Sequence, residues 1–146
     1  MIKFCSIKTL PCKWRDHIAN EMSWANGGMS YSLQYNLPQC KLALNFRDQQ
    51  IICWAMLCLL DVEGNGRPYV GSWTTNENRC EGYATETIHA LLNHIKFSTT
   101  EGINVYTMRM YRILSNICYT PVYQEWNENK FQGWLEKNFG PIPVLG

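Results

Sequence analysis

The chain has 146 residues, 13 Lys and Arg against 12 Asp and Glu, and a formal net charge of +1. Hydrophobic residues make up 46% and charged residues 17%, which excludes a disordered chain and fits one domain with a sizeable core. So balanced a charge gives no support to a nucleic-acid coat or a polybasic membrane binder, although a local basic patch remains open.

The seven cysteines do not read as a disulfide scaffold. Their number is odd, residues 1–6 carry no long apolar signal region, and Cys53 and Cys58 sit in an apolar run where thiols act as small hydrophobes. The expectation is reduced thiols and a cytoplasmic protein. There is no Cys-x-x-Cys, and His17, His89 and His94 show no ligand spacing, so no metal is expected. The longest apolar stretch, 51–60, falls short of the about 20 residues that cross a membrane. It reads as a strand buried on both faces.

In chain order, Trp14, Ile18, Met22 and Ala25 predict a helix over 10–26, ended by Gly27-Gly28. Residues 29–40, polar and aromatic with Pro38, read as a loop or a short second helix. A strand at 41–46, a turn at 47–49 and a strand at 50–62 predict an antiparallel hairpin. Gly64 and Gly66 mark a turn at 63–68. A third strand follows at 69–75, then a polar loop at 76–79. Ala84, Ile88, Leu91, Leu92 and Ile95 give one buried face to a helix at 82–96. With a fourth strand at 103–107 this makes a β-α-β unit, whose strands are parallel. Met110, Ile113, Leu114 and Ile117 predict a helix at 108–119. A strand at 122–126 and a last short helix carrying Trp134 and Leu135 precede Pro141 and Pro143. No repeat, low-complexity tract or linker interrupts the chain.

The segment Arg79-Cys80-Glu81-Gly82-Tyr83-Ala84 falls between a strand and a helix start. The first turn of a helix has free N–H groups and the positive end of the macrodipole, so this is an anion site. Gly82 lets a phosphate approach the backbone, Ala84 is small, and Arg79 adds positive charge.

At these residues the chain resembles the GNAT family of acyl-CoA-dependent N-acetyltransferases, whose signature is Arg/Gln-x-x-Gly-x-Gly/Ala at a strand-to-helix junction. The order of elements over about residues 4–126 resembles that family too. The resemblance implies a single domain over 1–146 of α/β (α+β) class. Its central sheet would be mixed and mostly antiparallel, with a splayed parallel strand pair, flanked by helices. It implies acetyl-CoA as donor and an amine of a small molecule or protein as acceptor, and it is compatible with a homodimer; the balanced charge indicates no nucleic acid, and the short apolar run no membrane.

Carried over residue by residue, the backbone N–H groups of Glu81, Gly82, Tyr83, Ala84 and Thr85 would hold the pyrophosphate, near Arg79 and Cys80. The backbone of Trp73, Thr74 and Thr75 would pair with the pantetheine arm. The acceptor amine must be neutral to attack, so a base or a water chain is needed. The family often has an Asn followed seven residues later by a Tyr that protonates the departing thiolate. Asn116 and Tyr123 have that spacing, with Pro121 between them; counting from the fourth strand gives Tyr119, and Tyr111 is a third choice. The Gly-Phe that commonly follows is replaced by Gln124-Glu125-Trp126. Asp61 and Glu63 read as a solvated turn, and Trp14 and Trp24 lie where the family shapes its acceptor pocket. Two other readings stand beside the enzyme. One is a GNAT fold with decayed catalytic groups that binds a protein; the other is a thiol enzyme built on Cys80, which needs a histidine nearby.

Overall fold

The computed structural model describes residues 1–22, 40–98 and 100–139. Ala25, Trp24, Gly27-Gly28, the segment 29–39, Pro141 and Pro143 lie outside them, so the expectations there have no counterpart below. The chain forms two compact units, Met1–Ser6 with Gln39–Glu125, and Ile7–Pro38 with Trp126–Gly146.

The first unit is a six-stranded sheet in sequence order. Its strands are β1 (Ile2–Ser6), β2 (Cys40–Arg47), β3 (Gln50–Cys58), β4 (Tyr69–Thr74), β5 (Gly102–Val105) and β6 (Thr120–Tyr123). β1 to β4 pair antiparallel, and β4–β5 and β5–β6 pair parallel. This is the expected mixed, mostly antiparallel sheet. The β2–β3 hairpin closes tightly because Asp48 and Gln49 both take positive φ, 51° and 65°, as a twist-matched two-residue turn requires.

Two helices of this unit follow their strands: α2 (Tyr83–His94) after β4 and α3 (Met108–Asn116) after β5. The stripe Ala84, Ile88, Leu91 and Leu92 packs on Ala43, Ala55, Leu57, Val70, Ile103 and Val105, with Met110, Ile113 and Leu114 of α3 in the same core. β3 is buried from Ile52 to Cys58 on both sets of alternating side chains, as the apolar run implies. Polar side chains join this interior in hydrogen-bonded pairs: Asn45 Nδ2 donates to Thr87 Oγ1 at 3.1 Å, and Thr87 Oγ1 donates to the Tyr83 carbonyl at 2.7 Å.

The second unit contains α1 (Cys12–Glu21) and α4 (Glu128–Phe139). Among its described residues, Ile7, Leu10, Ile18, Ala19, Phe131 and Leu135 are buried and apolar. Asn127 caps α4 by accepting from the Lys130 N–H at 3.0 Å, and the Trp126 ring packs on Phe131.

Several boundaries differ from expectation. β1 was not legible as a strand. It forms by backbone pairing along β2, closed by Phe46 N–H donating to the Met1 carbonyl at 2.8 Å. β3 stops at Cys58 rather than 62, although Leu60 and Val62 remain buried. The fourth strand stops at Val105 because Thr107 becomes the cap of α3, its Oγ1 accepting from Met110 N–H at 3.1 Å. α3 ends at Asn116 rather than 119, with Cys118 turning out at φ 66°. The last strand begins at Thr120 and ends at Tyr123; its Pro121 is tolerated on this outermost strand, where a missing N–H breaks no ladder.

Candidate functional site

The site is built where β4 gives way to α2. Thr75 N–H donates to the Ile52 carbonyl at 2.9 Å, so the strand is held to its end. A 3-10 turn, Asn76–Asn78, follows, and Asn78 Nδ2 donates to Thr75 Oγ1 at 2.6 Å. Arg79 does not reach outward: its Nε donates to the Thr74 carbonyl at 3.2 Å and straps the loop to the strand. Cys80 and Gly82 then take positive φ, 65° and 82°.

These two reversals aim the chain into α2. Gly82 is the N-cap, without a side-chain hydrogen bond to the first turn. Glu86 N–H is the first to reach back, donating to the Gly82 carbonyl at 3.0 Å, so the preceding amides of the turn have no helical acceptor. Nothing lies within 4 Å of the point where a Gly82 Cβ would stand. The turn is therefore open, with the positive end of the helix dipole exposed in it.

A pocket of about 510 Å³ opens over this turn. Thr74, Asn78 and Cys80 line it from the strand end and loop, and Gly82, Tyr83, Ala84 and Thr85 from the helix start. α3 supplies the far wall through Arg109, Arg112 and Asn116. Spaced by three and four, these share a helix face; Ile113 lines the pocket beside them, while Met110 and Leu114 turn into the core. The two arginines were missed in the sequence; their spacing with Asn116, off the apolar stripe, was the available signal. Tyr83 does not fill the pocket, since its hydroxyl accepts from Arg47 Nη1 at 3.2 Å.

The parallel pair beside this pocket is splayed. β4 and β5 share a single register pair, Tyr69 with Asn104, backed by Asn104 N–H donating to the Pro68 carbonyl at 2.8 Å. Beyond it, β4 runs on to Thr74 without a β5 partner. That leaves an unpaired backbone edge leading to the helix turn.

At the parting point the polar groups lie on the sheet face opposite α2. Asn104 and Asn65 exchange reciprocal amide hydrogen bonds of 3.1 Å. Tyr106, just past β5, packs edge-on against Tyr69 and donates its hydroxyl to Glu63 Oε1 at 2.9 Å. Burial pushes the Tyr106 pKa far up, and the Glu63 carboxylate adds to this. Glu63 is thus a half-buried, partnered carboxylate, not the solvated turn residue expected. Asp61 does act in the turn, its Oδ1 accepting from Gly66 N–H at 3.0 Å.

Of the expected site residues, Thr74, Cys80, Gly82, Tyr83, Ala84, Thr85 and Asn116 meet in one pocket. Thr75 and Arg79 brace its loop through the bonds above, and Glu81 is exposed between the two reversals. Trp73 is half-buried and faces Trp54 across the ladder, one residue out of phase with the pocket-lining Thr74. Tyr119 is 7% exposed, packed in the core near Phe97, and burial raises its pKa. Tyr123 is 51% exposed on β6 and Tyr111 is 36% exposed on α3; neither lines the pocket. Trp14 lies in α1, its ring edge-on to His17.

No histidine lines the pocket, so Cys80 has no imidazole there. Among the described residues no cluster of three or more His, Cys, Asp or Glu could hold a metal ion. No helix among them is long and apolar enough to cross a membrane.

No protein-family profile matches the sequence, and no curated protein matches it either. Solved structures do match. A "predicted acetyltransferase" from Clostridium acetobutylicum, crystallised with acetyl-CoA, superposes at a TM-score of 0.56 with 15% identity, over 87% of this chain and 96% of that one. The ribosomal-protein-alanine N-acetyltransferase of Brucella melitensis biovar Abortus 2308 gives a TM-score of 0.50 and 10% identity, over 87% and 97% of the two chains. The fold is that of the GNAT N-acetyltransferases. The α2 turn with its pocket, the unpaired β4 edge and the parting of β4 and β5 adjoin one another along the chain. Together they are the candidate site.

Proposed function

We propose that the protein is an acyl-CoA-dependent N-acetyltransferase, moving an acetyl group from acetyl-CoA to an amine of a small molecule or protein. The observation that carries this is the open first turn of α2, with Gly82 at positive φ and Arg109 and Arg112 across the pocket. Free amides, a helix dipole and two guanidinium groups suit a pyrophosphate, and the absent Gly82 side chain lets it come close. The β4 edge beyond Tyr69 offers backbone groups to an extended amide-bearing arm. The structural likeness to acetyltransferases supports the same reading.

When bound, acetyl-CoA supplies a thioester carbonyl open to nucleophilic attack. The chain's part is to position that carbonyl and to take a proton from the amine. Glu63 is suited to the proton, directly or through water, because its carboxylate stands at the β4–β5 junction. Tyr106, kept protonated by burial, orients the carboxylate through its hydroxyl. Tyr119 serves the core in this reading.

Titration calorimetry with acetyl-CoA and CoA tests the proposal. The wild type should bind both, and Arg109→Glu/Arg112→Glu should bind at least about tenfold more weakly, since each charged hydrogen bond contributes about 1.5–3 kcal/mol. Release of CoA thiol with a panel of amines then reads turnover. A second reading, a CoA-binding module without turnover, is favoured by the placement of Tyr119 and Tyr123 away from the pocket. It predicts binding without thiol release. A folded wild type that binds neither ligand overturns both.

A further inference from the structure

Cys40 and Cys58 stand directly opposite each other on β2 and β3. Their sulfurs are 3.5 Å apart, both thiols are free, and both residues are fully buried. Directly paired residues on neighbouring strands hold their Cβ atoms about 4.5–5.5 Å apart, close to the spacing that a disulfide spans. Both side chains leave the sheet on the same face, so small side-chain rotations suffice to close the gap. The other β3 cysteine, Cys53, is five residues away and faces the opposite side, bonded with Thr74 Oγ1. It cannot compete.

We propose that Cys40 and Cys58 are a dithiol that closes to a disulfide in the folded protein when it meets hydrogen peroxide. The surroundings of the two sulfurs differ. Cys40 Sγ donates to Cys58 Sγ, and hydrogen bonds from Cys40, Tyr69 and the Leu60 backbone lower the Cys58 pKa against the burial that opposes its ionisation. With Cys58 attacking first the steps balance, and the same balance holds with the two sulfurs exchanged.

In the first step the Cys58 sulfur attacks one peroxide oxygen. An S–O bond forms, the O–O bond breaks, and the departing oxygen leaves as water with the thiol proton. In the second step Cys40 attacks the sulfenic sulfur. The S–S bond forms, the S–O bond breaks, and the Cys40 proton leaves with the hydroxyl as a second water. Two thiols are oxidised and one peroxide is reduced to two waters. Hydrogen peroxide is the oxidant of choice because it is small, whereas burial of both sulfurs excludes a bulky disulfide such as oxidised glutathione.

The row does not end at the cysteines. Cys58 registers with Tyr69 on β4, and Tyr69 with Asn104 on β5. Cys58 is therefore one strand away from the parting of β4 and β5, with Tyr69 in between.

The test treats the reduced wild type with hydrogen peroxide under conditions where circular dichroism shows it folded, alkylates the remaining thiols and maps peptides by mass spectrometry. The expected product is a Cys40–Cys58 cross-linked peptide, lower by the mass of two hydrogen atoms and reversed by a thiol reductant. The melting temperature should rise by several degrees on oxidation and return on reduction, because the bond constrains the unfolded chain. Cys40→Ser should abolish both effects; Cys40→Ala, with no polar atom to bury, does the same if the serine variant fails to fold. Recovery of Cys40 and Cys58 as separate alkylated or over-oxidised peptides from folded protein overturns the proposal, as does a bridge from either one to another cysteine. None of these outcomes depends on acetyl-CoA binding.

Discussion

Gly82 takes φ 82° with open space where its Cβ would be, so a larger residue there meets backbone strain before it meets any atom. An L-residue in this region costs about 1–2 kcal/mol, and a β-branched side chain tolerates it worst. Gly82→Val should therefore melt a few degrees lower and bind CoA more weakly than wild type, by scanning calorimetry and titration respectively. Tyr106 makes a different demand. Its pKa is higher in the folded protein than in the unfolded chain, so folding is favoured by the protonated hydroxyl. That contribution is whole below the unfolded value of about 10 and is lost as pH rises beyond it. Between about pH 9 and 11 the wild type should lose melting temperature faster than Tyr106→Phe, which carries no phenol there to ionise.

Between elements, the tie of α2 to β2 is a buried polar one. Thr87 is fully buried and Asn45 is 4% exposed, and the amide of Asn45 has the Thr87 hydroxyl as its acceptor. Thr87→Val keeps the shape and removes that acceptor, leaving a buried N–H unmet, at about 1–3 kcal/mol. Urea denaturation should show this loss, and adding Asn45→Leu should recover part of it. The elements that were legible in the sequence are those whose pattern is long and tied to burial. The α2 stripe from Ala84 to Leu92 and the apolar run of β3 both fall in one core. β1 was not legible because its five residues include exposed Lys3 and Phe4 and its order comes from pairing with β2, forty residues away in sequence. The end of α3 was misplaced because Ile117 continues the apolar spacing while Cys118 adopts a left-handed turn, a backbone choice that periodicity does not report.

For the whole molecule, a net charge of +1 hides an uneven distribution at the candidate site. The cradle of Gly82 was legible because strand end, glycine and helix start are contiguous. Arg109 and Arg112 were not, because only the fold brings α3 across from α2; the Glu63–Tyr106 pair spans the sheet in the same way. A site assembled from a helix dipole and two guanidinium groups should respond to ions. At acetyl-CoA about a hundredfold above its dissociation constant, binding adds about 2.7 kcal/mol to stability, which in a chain of this length raises the melting temperature by roughly 5–10 °C. Ionic attraction weakens as the Debye length falls from about 10 Å at 0.1 M salt to about 3 Å at 1 M. The thermal shift at fixed ligand should therefore shrink over that range for the wild type and be small at either salt in Arg109→Glu/Arg112→Glu. An undiminished shift at high salt would assign the affinity to the β4 edge and to apolar contact with Ala84 and Ile113 instead, because neither carries the charge that salt screens.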